Sequence, residues 1–274
     1  MERYFTADGI EVPAADVRRD AQGRPFGPDQ VPLTTWRAPG KRERVAVKRE
    51  RVARSGQPQL IVVLADTSLS MAGPRIKAAV DGIREMILDC QTRGPRGPGK
   101  SYFKVLLIRF DETASVIPGY EMVPVRDIDP DALQLEAKGR ATNFQAALNL
   151  AERHLRDYLA LLADHPDIET FPVPLVLLFS DGDSNRGDPL AAAGSLKKLR
   201  MGSDPVVLLC AGITEGGSSV NEDLLRKTAS LPECYQRISD LETLKEWLVK
   251  VGSSGKSSAA DLAALIRGTT AVEI

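Results

Sequence analysis

Two histidines and three cysteines are all that this 274-residue chain offers of the softer metal ligands. Cys90, Cys210 and Cys234 match no zinc or redox spacing, and an odd number leaves no closed disulfide framework. They read as small apolar residues of a reduced protein. Neither sign of charge prevails: 36 basic and 37 acidic side chains give a formal net charge of −1, with no global attraction to nucleic acid or membranes. No apolar run is long enough to span a bilayer, and Met1-Glu2-Arg3-Tyr4-Phe5 lacks an apolar leader core. A cytoplasmic setting without a membrane partner is therefore expected. Phosphate-cradling loops are missing too. Gly73, Gly139 and Gly182 are isolated, and neither G-x-x-x-x-G-K-[ST] nor G-x-G-x-x-G after a strand occurs.

What is present divides the chain into three parts. Residues 1–57 are rich in Pro, Gly and charge and form an amino-terminal extension or arm. Within it, Arg3–Ala7 and Ile10–Pro13 flank Asp8-Gly9, a hairpin turn dipeptide. Lys41–Arg54 carries seven Lys or Arg against two Glu. A solvated strand or helix is the plain reading of that run, a dedicated contact arm the other. Residues 58–251 alternate strand and helix patterns, and residues 252–274 open on the linker-like Gly252-Ser253-Ser254-Gly255 before a short helix capped by Ser258.

The middle part predicts an α/β fold, doubly wound, with a mostly parallel six-stranded sheet and helices on both faces. Strands are expected at Leu60–Ala65, Tyr102–Phe110, Leu175–Phe179, Val206–Cys210 and Cys234–Ile238. A short antiparallel edge strand or hairpin is expected across Thr113–Val123, turning at Pro118-Gly119. Helices are expected at Pro74–Cys90, Asn143–Ala163, Leu190–Leu199, Asn221–Ala229 and Leu241–Val251. In the second of them Phe144, Ala147, Leu148, Ala151, Leu155 and Leu159 share one stripe.

Hydroxyls and carboxylates recur at the strand ends. Asp66, Ser68 and Ser70 follow the first strand, Asp181 follows the fourth, and Thr142 opens the second helix after the irregular stretch Asp127–Arg140. Carboxyl ends of parallel strands are where open α/β sheets bind ligands. Such oxygens suit a hard divalent ion, Mg²⁺ or Mn²⁺, rather than zinc. Two carboxylates among neutral hydroxyls leave that ion attractive to an anion. Asp183 and Ser180 are expected to support this set without joining it. No catalytic residue is assigned: His154 lies three turns along the second helix, His165 sits in a loop, and no oriented base accompanies Ser180.

At these five positions the chain resembles the von Willebrand factor type A (vWA) family. Its metal-ion-dependent adhesion site, MIDAS, is written D-x-S-x-S, then T, then D, matched by Asp66, Ser68, Ser70, Thr142 and Asp181. The resemblance implies a Rossmann-like fold and a protein–protein interaction module. In such a module a partner's Asp or Glu completes the coordination of the ion. Leu69 stands where many members have Gly, and Arg140-Ala141 where Gly-Gly is frequent. More loosely, Cys210-Ala211-Gly212-Ile213 and the Trp247 helix look similar to intracellular bacterial tellurium-resistance-associated members. That likeness implies a stress-response or defence setting and a protein kinase, phosphatase or ATPase as partner. The rival readings are a metal-dependent phosphoester hydrolase and a nucleic-acid-associated adaptor using Lys41–Arg54.

Overall fold

The computed structural model describes residues 2–5, 11–20, 24–28, 34–37, 58–93, 102–181, 184–214, 220–252, 254–255 and 258–270. Asp8-Gly9, the basic run Lys41–Arg54, and Gly182 with Asp183 lie outside the described residues. The chain divides into two compact units, Met1–Glu50 with Asp164–Ile168, and Arg51–Ala163 with Glu169–Ile274.

In the first unit β1 (Glu2–Phe5) pairs antiparallel with β2 (Glu11–Val12), as the hairpin pattern predicts, and on its other edge with β5 (Thr34–Arg37). A second small ribbon pairs β3 (Arg18–Arg19) with β4 (Pro25–Phe26). Arg19 donates to the Tyr4 hydroxyl at 3.0 Å.

The second unit is built on β6 (Gln59–Asp66) and β10 (Leu175–Ser180), every residue of which is buried. Unbroken burial is what a strand covered on both faces requires, and it explains their continuous apolar runs. The remaining strands are β7 (Phe103–Phe110), β8 (Ala114–Val116), β9 (Val123–Pro124), β13 (Val207–Ile213) and β14 (Tyr235–Ile238). The order is β14-β13-β10-β6-β7-β8, parallel from β14 to β7. The chain runs outward from β6 to β7 and later returns to β10, β13 and β14, so the topological switch falls between β6 and β10. A separate hairpin joins β11 (Arg200–Met201) to β12 (Asp204–Pro205).

The antiparallel edge differs in detail from expectation. β8 and β9 do not pair with each other; both pair with β7, β8 along Ile108–Phe110 and β9 along Lys104–Val105. The sheet is thus six strands wide, with two short pieces sharing its last column. Pro118-Gly119 closes the turn between them, with Gly119 at φ 84° and Tyr120 donating to the Ile117 carbonyl at 3.0 Å. β13 runs three residues beyond its expected end because Ala211 and Gly212 keep pairing with β14.

Helices α1 (Pro74–Thr92), α2 (Phe144–Leu162), α3 (Pro189–Leu196), α4 (Glu222–Thr228), α5 (Leu241–Gly252) and α6 (Ala259–Thr270) follow the expected segments. Their starts are set by caps: Asn143 accepts from Ala146 N, Asp188 from Ala191 N, Asn221 from Leu224 N and Ser258 from Asp261 N. Tyr158, not Leu159, completes the buried stripe of α2, and its hydroxyl donates to the Pro58 carbonyl at 3.2 Å. All three cysteines are buried, and burial pushes the Cys90 thiol up to about 12. Among the described residues no helix is long and apolar enough to cross a membrane.

Helices α1 and α5 meet closely at Gly82, where an added Cβ would lie 2.8 Å from Leu248 Cδ1 and 3.1 Å from the Lys245 Cα. Gly82→Val should therefore force the two helices apart and destabilise the domain by about 1–3 kcal/mol. Urea unfolding monitored by circular dichroism measures it, and unchanged stability would show that the helices can slide to accept the side chain.

Candidate metal site

Asp66 is the last residue of β6 and has no solvent exposure. Its register opposite β10, with Ala65 beside Phe179, brings Ser180 alongside, and the Ser180 hydroxyl donates to Asp66 Oδ2. The other carboxylate oxygen accepts from the Ser68 backbone N–H at 2.8 Å, turning the chain as it leaves the strand. Burial pushes the Asp66 carboxyl up to about 6, opposed by the hydrogen bonds from Ser180 and Ser68 and reinforced by the charge of Asp181. A cation beside it would favour the ionised form.

The remaining links form a chain of contacts. Ser68 Oγ and Ser70 Oγ lie 3.0 Å apart, and Ser70 Oγ donates to Asp181 Oδ1 at 2.7 Å. Ser68 is buried while Ser70 is exposed, so the cluster opens to solvent on the Ser70 side. Asp181 also pairs with Arg75, whose Nη1 donates to Asp181 Oδ2 and, at 3.0 Å, to the Ser70 carbonyl. Leu69 points outward at 60% exposure while its backbone N–H donates to the Gly139 carbonyl at 2.6 Å. A leucine at this position is thus absorbed by solvent and leaves the loop's backbone pairing intact.

Thr142 arrives by a different route. Residues 125–133 are pinned to α1, Gln91 donating to the carbonyls of Val125 and Ile128 and Arg84 to those of Asp131 and Leu133. The following stretch crosses under the β6 loop, where Ser68 bridges Gly139 in parallel fashion and Lys138 N donates to the Thr67 carbonyl at 3.0 Å. Gly139 has to be glycine, because a Cβ would fall 2.0 Å from the Asp111 Cβ. Buried Thr142 then pairs through its backbone with Asn185, donating to Oδ1 at 3.1 Å and accepting from Asn185 N at 3.0 Å. Ser184 Oγ accepts from Phe144 N at 3.2 Å.

The structure therefore joins Asp66, Ser68, Ser70, Asp181 and Ser180 directly. Thr142 is tied to the loop that follows Asp181, without a described side-chain hydrogen bond to the other four; Asp183 lies outside the described residues. His154 faces Glu121 at 3.6 Å, and His165 Nδ1 accepts from Asp167 N at 3.2 Å, so neither histidine engages this cluster through these contacts. Sequence reasoning missed Arg75 and Asn185, and weighed Gly139 only for phosphate binding, not for the close backbone approach it allows. Arg75 sits five residues after Ser70, with its partner 106 residues away, a pairing no local pattern signals. Among the described residues no group of three or more His, Cys, Asp or Glu is placed to hold a metal, so a site here depends on serine and threonine oxygens. Two carboxylates and two hydroxyls within mutual reach fit a hard divalent ion.

No family model and no curated protein matches the chain. Solved structures do. Proximal thread matrix protein 1 from the mussel byssus is 20% identical over 71% of this chain and 46% of its own, with a TM-score of 0.51. A form of it described as having a zinc-occupied MIDAS motif is 16% identical over 72% and 48%, with a TM-score of 0.50. The pilus adhesin SpaC from Lactobacillus rhamnosus GG, in its open conformation, is 15% identical over 79% and 31%, with a TM-score of 0.54. The chain spans half or less of the length of each of these proteins. At such low identity the likeness is one of fold: this chain has the Rossmann-like α/β fold of the byssal matrix protein and the SpaC adhesin.

Proposed function

We propose that the chain is a metal-dependent protein–protein interaction module of vWA type, an adaptor or scaffold. In this reading Asp66, Ser68, Ser70, Thr142 and Asp181 hold a Mg²⁺ or Mn²⁺ ion whose remaining position is completed by a partner's Asp or Glu. The observation that carries it is the convergence of Asp66, Ser68, Ser70 and Asp181 at the switch point between β6 and β10, open to solvent at Ser70. A zinc-occupied MIDAS in a byssal protein of the same fold supports a divalent ion at this edge. The preference for Mg²⁺ or Mn²⁺ rests on ligand hardness. Asp183 and Ser180 would brace the ligands. A carboxylate bound to the ion also selects its partner, since a surface lacking that group leaves only water on the metal.

A phosphoester hydrolase has less to rest on. Neither histidine is joined to the cluster by a described hydrogen bond, and the two-metal carboxylate arrangement of phosphotransfer sites has no counterpart among the described residues. The setting we propose is cytoplasmic, in a bacterial stress-response or defence system, with a kinase, phosphatase or ATPase as the acidic partner. The cytoplasmic setting rests on the cysteine pattern, and the bacterial setting and the partner on the Cys210–Ile213 run and the Trp247 helix.

Calorimetric titration should give one site for Mg²⁺ or Mn²⁺, with zinc as a competitor, and a melting temperature that rises with metal. Asp66→Ala and the double variant Ser68→Ala/Ser70→Ala should lose that site; wild-type affinity in both would remove the metal from the account. Phosphatase, nuclease and nucleotide-hydrolysis assays should stay at background, and turnover lost specifically in Asp181→Asn would reassign the protein as an enzyme. With a captured partner, chelation, Thr142→Ala and neutralisation of one partner carboxylate should each weaken the complex without adding, because all three remove one contact. A complex that survives chelator intact would put the binding surface elsewhere.

A further inference from the structure

Arg75 stands where simple electrostatics disfavours a cation. It is the second residue of α1, whose first turn is Pro74-Arg75-Ile76 after Gly73 at φ 80°, and the amino end of a helix carries partial positive charge. Its guanidinium is nonetheless held inward, with 18% side-chain exposure, against an Asp181 side chain that has none. A carboxylate so deeply placed needs a counter-charge, and Arg75 supplies it. The second contact, to the Ser70 carbonyl, fixes the guanidinium across the loop that carries the two serine hydroxyls.

The charges then decide what an incoming ion meets. Asp66 and Asp181 contribute two negative charges when ionised and Arg75 one positive, so the cluster carries a net −1. A dication added with Arg75 in place brings it to +1. Coulomb repulsion between ion and guanidinium, at a largely desolvated site, opposes metal loading; so does competition for Asp181 Oδ2. The same net +1 attracts an anion. A carboxylate arriving at the ion would also find a guanidinium able to pair with it.

We propose that Arg75 is a resident counter-cation of the site: a divalent ion has to displace it from Asp181, and it couples metal loading to the arrival of an anion. This rests on the metal-site reading above and adds a regulatory element to it. Metal alone binds weakly, metal and carboxylate bind together, and by linkage each strengthens the other.

The test is Mn²⁺ titration calorimetry on the full chain, in chloride buffer with and without acetate, comparing wild type with Arg75→Gln, Arg75→Met and Arg75→Lys. Loss of the charge in the Gln and Met variants should tighten Mn²⁺ binding by about tenfold or more. Acetate should tighten it in wild type and much less in those two. Arg75→Lys, which keeps the charge, should stay within about threefold of wild type. Folding is checked by melting, and Met preserves the aliphatic stem if Gln does not fold. Wild-type or weaker Mn²⁺ affinity in the folded neutral variant overturns the role of Arg75, including the case where neither protein binds Mn²⁺. The metal-site reading fails on a different variant, through wild-type affinity in Asp66→Ala, so the two failures are told apart.

Discussion

The lateral pairing of β6 with β10 is the constraint from which the site follows. Leu175 to Phe179 run beside Ile61 to Ala65, so both strands deliver their polar residues at the same level, Asp66 with Ser180 and then Asp181. Side chains alternate across a sheet, and a slip of one residue would turn Asp66 to the opposite face and break its bond with Ser180. The apolar runs that bury both strands fix that register. Core packing and the polar cluster are thus specified by the same strand pairing, and neither changes independently of the other.

Around this pair the polar loops brace one another. The β6 loop leans on Gly139, the Thr142 segment leans on Asn185 and on the carbonyl of Asp111, and Asp188 N binds Gln145 of α2. Most of these are backbone hydrogen bonds or bonds to backbone, which hold geometry without depending on long flexible side chains. Hydroxyl ligands need such support, because a serine bound to an ion contributes little by itself and its position must be set in advance.

Much of this was legible in the sequence because burial leaves unbroken apolar runs in covered strands and apolar stripes in helices. Residues 60–65 and 175–179 are short unbroken apolar runs, the form of a strand covered on both faces, and Ser258 is a short polar residue before the stripe it caps, while the caps at Asn143, Asp188 and Asn221 emerge from the structure. Legibility faded wherever the determining contact is distant. β9 is two residues long and exists only because β7 offers an edge; Tyr158 displaces Leu159 because Pro58 supplies an acceptor one hundred positions away. The same holds at the site. Asp66, Ser68, Ser70, Thr142 and Asp181 stand out by residue type at strand and helix ends, while Arg75 and Asn185 carry no local mark and take meaning only from what the fold puts beside them.

The divided last column of the sheet has a further consequence. A parallel sheet ending on a long straight strand would expose a row of unpaired amides and carbonyls along β7, a template on which another chain's strand could stack. Here that row is covered by two fragments of three and two residues, interrupted by the Pro118-Gly119 turn. Neither fragment offers a run long enough to recruit a stranger. The molecule thus closes this flank of the sheet against edge-to-edge aggregation.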